Sequence, residues 1–131
     1  MTYAPEDRDA FLQQPRTAVI ATAGRDGRIH AVPVWYSWDG SVFRILTDRG
    51  SAKHRNAVRA GRATLCVDER DGRFRYITAE GPVTVQDPVS YEERLALHTI
   101  YRGPEAAKQV VDRGGHERMV TLILRPERWL P

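Results

Sequence analysis

The 131-residue chain holds one cysteine, which excludes an internal disulfide. Cys66 stands in the apolar run Ala63-Thr64-Leu65-Cys66-Val67, and its expected role is buried packing rather than thiol chemistry. No apolar run approaches the roughly 18 residues that suggest a membrane span. Met1 to Arg16 is polar and acidic, unlike a secretory signal. The expectation is a cytoplasmic protein with no membrane partner. The glycine-rich patterns of phosphate loops and dinucleotide folds are missing as well. His30, His54, His98 and His116 lack metal-ligand spacing, and no cysteine or paired-carboxylate cluster joins them. No metal is expected. Nothing marks a nucleophile elbow, and no residue is assigned a catalytic role. A chain so poor in visible acids, bases and nucleophiles is one in which a bound cofactor would carry the chemistry.

The composition is that of one globular domain over residues 1–131, with 41% apolar and 28% charged residues. The net charge of +3 is uneven. Residues 41–62 hold six Lys/Arg (Arg44, Arg49, Lys53, Arg55, Arg59, Arg62) against Asp48 alone, so the rest of the chain sums to −2. A basic patch this compact suits a small anionic ligand better than a nucleic-acid track, and no nucleic-acid partner is expected.

Pro5 to Gln14 reads as a short helix with Glu6 and Asp7 at its favourable end. Strands are predicted over Thr17–Thr22, Arg28–Trp38, Ser41–Thr47, Arg62–Glu69, Phe74–Val85 and Met119–Leu124. Gly24–Gly27, Asp39-Gly40 and Arg70–Arg73 separate them as turns. Gly81-Pro82 predicts a bulge or a sheet edge in the fifth strand. Ser51 to Ala60 has helical spacing and stops at Gly61. Helices are also predicted over Pro88–Tyr101 and Pro104–Asp112, with Glu92, Glu93 and Arg94 as a solvated face. The expected architecture is mainly β, a Greek-key-like barrel of about six strands with flanking helices.

The segment Thr47-Asp48-Arg49-Gly50-Ser51-Ala52-Lys53-His54-Arg55-Asn56 leaves a strand, turns at Gly50 and starts a helix with Ser51 as N-cap. Arg49, Lys53 and Arg55 crowd the end of the helix dipole that repels cations, a cost of a few tenths to ~1 kcal/mol each. An anion docked there would turn that cost into a gain, since free backbone N–H groups and the cations would converge on it. The alternative is a solvated basic face with no ligand.

Val32-Pro33-Val34-Trp35-Tyr36-Ser37-Trp38 is the second notable stretch. Pro33 cannot donate to a ladder, so the strand is expected at an edge or bulged there. Its free backbone groups and aromatics could hold a planar heterocycle, or Trp35 and Tyr36 could be ordinary packing.

Ordered along the chain, these pieces resemble a known family. They are Ala21-Thr22, Asp26-Gly27-Arg28, Pro33-Val34-Trp35-Tyr36, Ser51-Ala52-Lys53-His54-Arg55-Asn56, Val67-Asp68 and Ala79-Glu80-Gly81. The chain resembles the pyridoxamine 5′-phosphate oxidase-like (PPOX class) FMN-binding split-barrel superfamily, and within it the small coenzyme F420 (deazaflavin)-dependent reductases. The resemblance implies a split β-barrel and a homodimer with cofactor at the interface. It implies coenzyme F420, with FMN as the alternative, and hydride transfer to an unsaturated small-molecule substrate. A non-catalytic carrier of the cofactor or of a tetrapyrrole is a third reading. Carried onto this sequence, the cofactor phosphate would meet Ser51, Lys53, Arg55 and Asn56, with Thr47 and Arg49 at the rim and Ala52 and His54 also in the cofactor site. The ring would lie along Pro33, Val34 and Trp35, with Tyr76 and Trp129 as walls. The chain ends a few residues after the last strand, and oxidation of pyridoxamine phosphate itself is not expected.

Overall fold

The computed structural model describes residues 5–69 and 75–130. Helix α1 (Pro5–Leu12) keeps Glu6 and Asp7 in its first turn and buries Phe11 and Leu12. Strand β1 (Ala18–Ala23) buries Ala18, Ile20 and Thr22 on one face, and β2 (Ile29–Val34) pairs antiparallel with it. Two residues later β3 (Ser37–Trp38) pairs not with β1 but with β4 (Phe43–Asp48), whose Phe43, Ile45 and Thr47 are buried. Helix α2 (Ala52–Ala60) follows, then β5 (Arg62–Glu69) and the 12-residue β6 (Arg75–Gln86). Helices α3 (Tyr91–Arg102) and α4 (Pro104–Val111) pack on each other before β7 (Met119–Leu124) and the short β8 (Arg128–Leu130).

The sheet order is β2-β1-β5-β6-β7-β4-β3, with β8 beside β6. Strands β2 and β3 therefore end the order on opposite sides, yet only Trp35 and Tyr36 separate them in the chain. A flat sheet of seven strands would hold its edges about 29 Å apart. The three residue steps from Val34 to Ser37 reach at most about 11 Å. The sheet must curl until its ends nearly meet, leaving a barrel with a seam between β2 and β3.

That seam corrects the expectation of one strand from Arg28 to Trp38. The ladder stops after Val34 because the chain crosses from one edge of the barrel to the other. Pro33 does lie on an edge strand, opposite Val19. Gly81-Pro82 is neither a bulge nor an edge. Strand β6 pairs with β5 through Pro82 and then with β7 from Val83, so the pair marks the corner where one strand serves both halves of the barrel. Glycine is required there, since a Cβ at position 81 would collide with the carbonyl of Arg125, which turns inward to meet the corner. The six predicted strands correspond to six of at least six residues each, and β3 and β8 are additional. The turn predicted at Arg70–Arg73 lies outside the described residues.

Inside the barrel, Ile20, Phe43, Ile45, Leu65, Val67, Ile77, Val120, Leu122 and Leu124 form the core with α1's Phe11 and Leu12 and α2's Ala57. Alternation along β5 places Cys66 on the opposite face from Leu65 and Val67, so it is half-buried rather than in the core. Glu93 and Arg94 are not a solvated face. Glu93 accepts from Thr121 Oγ1 at 3.0 Å and Gln86 Nε2 at 3.1 Å, and Arg94 donates to the Gly114 carbonyl at 2.5 Å. Together they fasten α3 to the barrel and to the loop after α4. No helix among the described residues is long and apolar enough to cross a membrane.

Candidate functional site

The basic segment folds as its residue types dictate. Ser51, extended at φ −62° and ψ 161°, caps α2 by accepting the His54 amide at 3.4 Å. Gly61 ends the helix in the left-handed region at φ 73°, and its N–H reaches the Ala57 carbonyl. Thr47, buried at the end of β4, shares a 2.9 Å hydrogen bond with the Ser51 hydroxyl, which fixes the cap against the barrel. The Gly50 amide donates to His54 Nδ1 at 2.9 Å, and Arg55 donates from Nη1 to the Gly50 carbonyl at 2.5 Å. The turn before the helix is thereby held by the helix's own first side chains.

The cations of this segment have different fates. Arg49 forms a two-pronged ion pair with Asp87, whose pKa it lowers chiefly through its hydrogen bonds to that carboxylate, and donates to the Glu117 carbonyl at 3.0 Å. Lys53 is half-buried and makes no ion pair or hydrogen bond among the described residues. The amides of Ala52 and Lys53, in the helix's first turn, have no acceptor among the described residues. One uncommitted lysine on the same first turn as two uncommitted N–H groups suits a phosphate group. Asn56 is turned to the sheet. It is 9% exposed, donates to Thr22 Oγ1 on β1 at 3.2 Å and accepts from Arg59 at 3.3 Å. It anchors α2 to the sheet.

The predicted ring-binding strand is at the seam. Pro33 is exposed and lines an open groove of about 520 Å3 with Pro15, Arg16, Thr17, Val19 and Asp68. Tyr76 is exposed on β6 opposite Asp68, at the margin of that groove. Val34 is half-buried opposite Ala18. The Trp35 ring is already engaged. It stacks on Tyr101 at 4.5 Å and 7° and meets His98 edge-on at 5.7 Å, with the Arg102 guanidinium 5.0 Å from its centroid. Trp129 packs edge-on against Trp38 at 5.6 Å under the Arg8 guanidinium, so it walls the core. The groove lined by Pro33 includes none of the α2-start residues.

Tyr36 is buried, with its hydroxyl donating to the Leu12 carbonyl at 3.0 Å, and burial raises its pKa so that it stays protonated. Sequence reasoning missed three residues. Tyr101 reaches the seam from α3, Asp87 neutralises Arg49, and Thr22 holds Asn56. Each acts across 34 residues or more, and no local pattern announces such pairs. Among the described residues no cluster of three His, Cys, Asp or Glu could hold a metal.

Comparison with known proteins gives this geometry a lineage. The family profile described as pyridoxamine 5′-phosphate oxidase matches residues 4–129. The F420H2-dependent biliverdin reductase of Mycobacterium tuberculosis is 32% identical over 107 residues, covering 79% of this chain and 76% of that protein. A solved structure described as an F420 reductase superposes with a TM-score of 0.78 at 24% identity, covering 93% of this chain and 94% of its own. A conserved hypothetical protein from M. tuberculosis superposes at 0.83 and 24% identity, covering 98% and 84%. These likenesses bear out the split barrel with flanking helices. The chain belongs to the pyridoxamine 5′-phosphate oxidase family of split-barrel proteins.

Proposed function

We propose that this protein is a coenzyme F420-dependent oxidoreductase, acting as a homodimer on an unsaturated small-molecule substrate. The observation that carries the reading is Lys53, an uncommitted cation on the same first turn of α2 as two uncommitted amides, in a chain homologous to an F420H2-dependent reductase. Lys53 and the amides of Ala52 and Lys53 would hold the cofactor phosphate, with Ser51 and Arg55 beside them. Pro33 and Val34 would border its ring at the seam. When bound, the reduced deazaflavin supplies a hydride to the substrate. The chain's own part is to orient and to exclude water. Thr47 and the Ser51 cap hold the anion-binding turn rigid, and the proline edge offers an apolar surface with no N–H of its own.

In this proposal a second copy completes the site, since the Pro33 groove of one chain is lined by no α2-start residue. The dimer is supported by the outer face of β1 and β2, where Val19 is 42% and Ile29 67% exposed beside Ala23, Ala31 and Pro33. The deciding experiment titrates the purified protein with F420 and with FMN in parallel, followed by absorbance. Saturable binding of F420 and reoxidation of its reduced form by a panel of enones, quinones and tetrapyrroles are expected. Binding of FMN alone would replace the cofactor assignment. Binding of F420 without hydride transfer to any acceptor would replace the enzyme with a carrier.

A further inference from the structure

The barrel's seam has a fastener that the proposed chemistry does not yet use. Where the chain crosses from β2 to β3, the backbone of Tyr36 leaves both ladders. The Tyr101 hydroxyl takes up its hydrogen-bonding groups. It accepts the Tyr36 amide at 3.1 Å, and its proton is shared between the carbonyls of Tyr36 at 3.0 Å and Arg16 at 2.7 Å. One side chain thus ties the crossing to the segment that enters β1. The ring of the same residue stacks on Trp35, and His98 and Arg102, from the same end of α3, close around that indole. Arg102 also donates from Nε to His98 Nδ1 at 3.1 Å. That bond needs a neutral imidazole, and burial together with Arg94 and Arg102 lowers the His98 pKa accordingly.

We infer that Tyr101 is a positioning residue for the cofactor ring: from α3 it sets the edge Pro33-Val34-Trp35 through Trp35 and the Tyr36 backbone. This rests on the reading of that edge as the ring's border. The physical reason is the seam itself. Strands β1, β5, β6, β7 and β4 are each held by a neighbour on both sides, and a ring resting on such a strand inherits its rigidity. Residues 33–36 have a neighbour on one side and then none. Without the hydroxyl, the Tyr36 N–H and C=O have no partner among the described residues, and the edge is free to shift by the fraction of an ångström that misplaces a reacting ring.

Tyr101 bonds and stacks with Tyr36, Arg16 and Trp35 and with none of the residues at the α2 start, so Tyr101 and Lys53 separate in a binding experiment. Unmodified protein, Tyr101→Phe and Arg102→Ala are titrated with F420, and the spectrum of the bound chromophore is recorded along with affinity, melting temperature and amide exchange. Tyr101→Phe keeps the stacked ring and loses only the hydroxyl. Its Tyr36 amide should exchange at least about tenfold faster. Its affinity for F420 should stay within about threefold, since the phosphate anchor is untouched. The absorbance and fluorescence of the bound ring should shift toward those of the free cofactor. Arg102→Ala, at an exposed position, should produce a smaller shift in the same direction, and it decides the question if the tyrosine variant does not fold. A bound spectrum identical to that of the unmodified protein, whatever the change in melting temperature, reduces the clamp to a structural prop and overturns the inference. No F420 binding by the unmodified protein overturns the cofactor reading itself, and the positioning role with it.

Discussion

Two neighbouring polar residues on α2, Lys53 and Asn56, illustrate how burial divides function from stability. Lys53 contributes nothing to the described network of ion pairs and hydrogen bonds, so Lys53→Ala should leave the melting temperature within about a degree. A charge-assisted bond to a phosphate contributes about 1.5–3 kcal/mol, and the same variant should weaken F420 binding by about tenfold or more, measured by fluorescence titration. Asn56→Ala should do the reverse. It strands the Thr22 hydroxyl and removes the Arg59 acceptor in a buried place, which should cost about 1–3 kcal/mol in urea unfolding. Cofactor affinity per folded molecule should change little. A Lys53→Ala protein that binds F420 normally would remove the anion site from the argument. The sequence grouped Asn56 with the cations because the residues share one short segment; only the packing of α2 on β1 shows that Asn56 is taken up by Thr22.

At the scale of elements, the barrel depends on two places where a strand changes partners. At the seam the break is made good by a side chain from α3. At the corner of β6 it depends on the absence of a side chain. Gly81→Ala should therefore be severe, because the obstacle is the backbone carbonyl of Arg125 and not a flexible tip. The expected loss is about 3 kcal/mol, at the upper end of the usual range for overpacked cores, read as a lowered urea midpoint or as failure to recover folded protein. Tolerance of alanine there, with unchanged stability, would show that the β7–β8 connection can move aside. The strands themselves were legible from alternation: Arg62–Glu69 and Met119–Leu124 occupy the predicted residues. The break after Val34 was not, since Val32, Val34, Tyr36 and Trp38 keep a perfect period of two across it. Periodicity records which residues face inward and says nothing about which neighbour they pair with.

For the whole molecule, the outer face of β1 and β2 is the surface that one chain leaves uncovered. Ile29→Glu would place a charge at its most exposed large apolar residue. If that face joins two copies, sedimentation should show a dimer become a monomer with unchanged far-ultraviolet circular dichroism, and F420 binding should be lost together with the dimer. A monomeric unmodified protein, or an Ile29→Glu dimer that still binds cofactor, would place the second half of the site elsewhere.

Local signals in the chain were sufficient for the four helices and six long strands, though not for the break after Val34 or for β8, and for the capped basic helix start and the edge position of Pro33, because caps, turns and donor loss act within a few residues. They were sufficient for the family as well, since its motifs are short segments in a fixed order. Tertiary structure alone decided that Arg49 is neutralised by Asp87, that Asn56 serves the core, and that Trp35, between two strands, packs on α3. Those outcomes depend on residues brought together when the sheet curls shut, and curling is a property of the pairing order, which no stretch of sequence carries by itself.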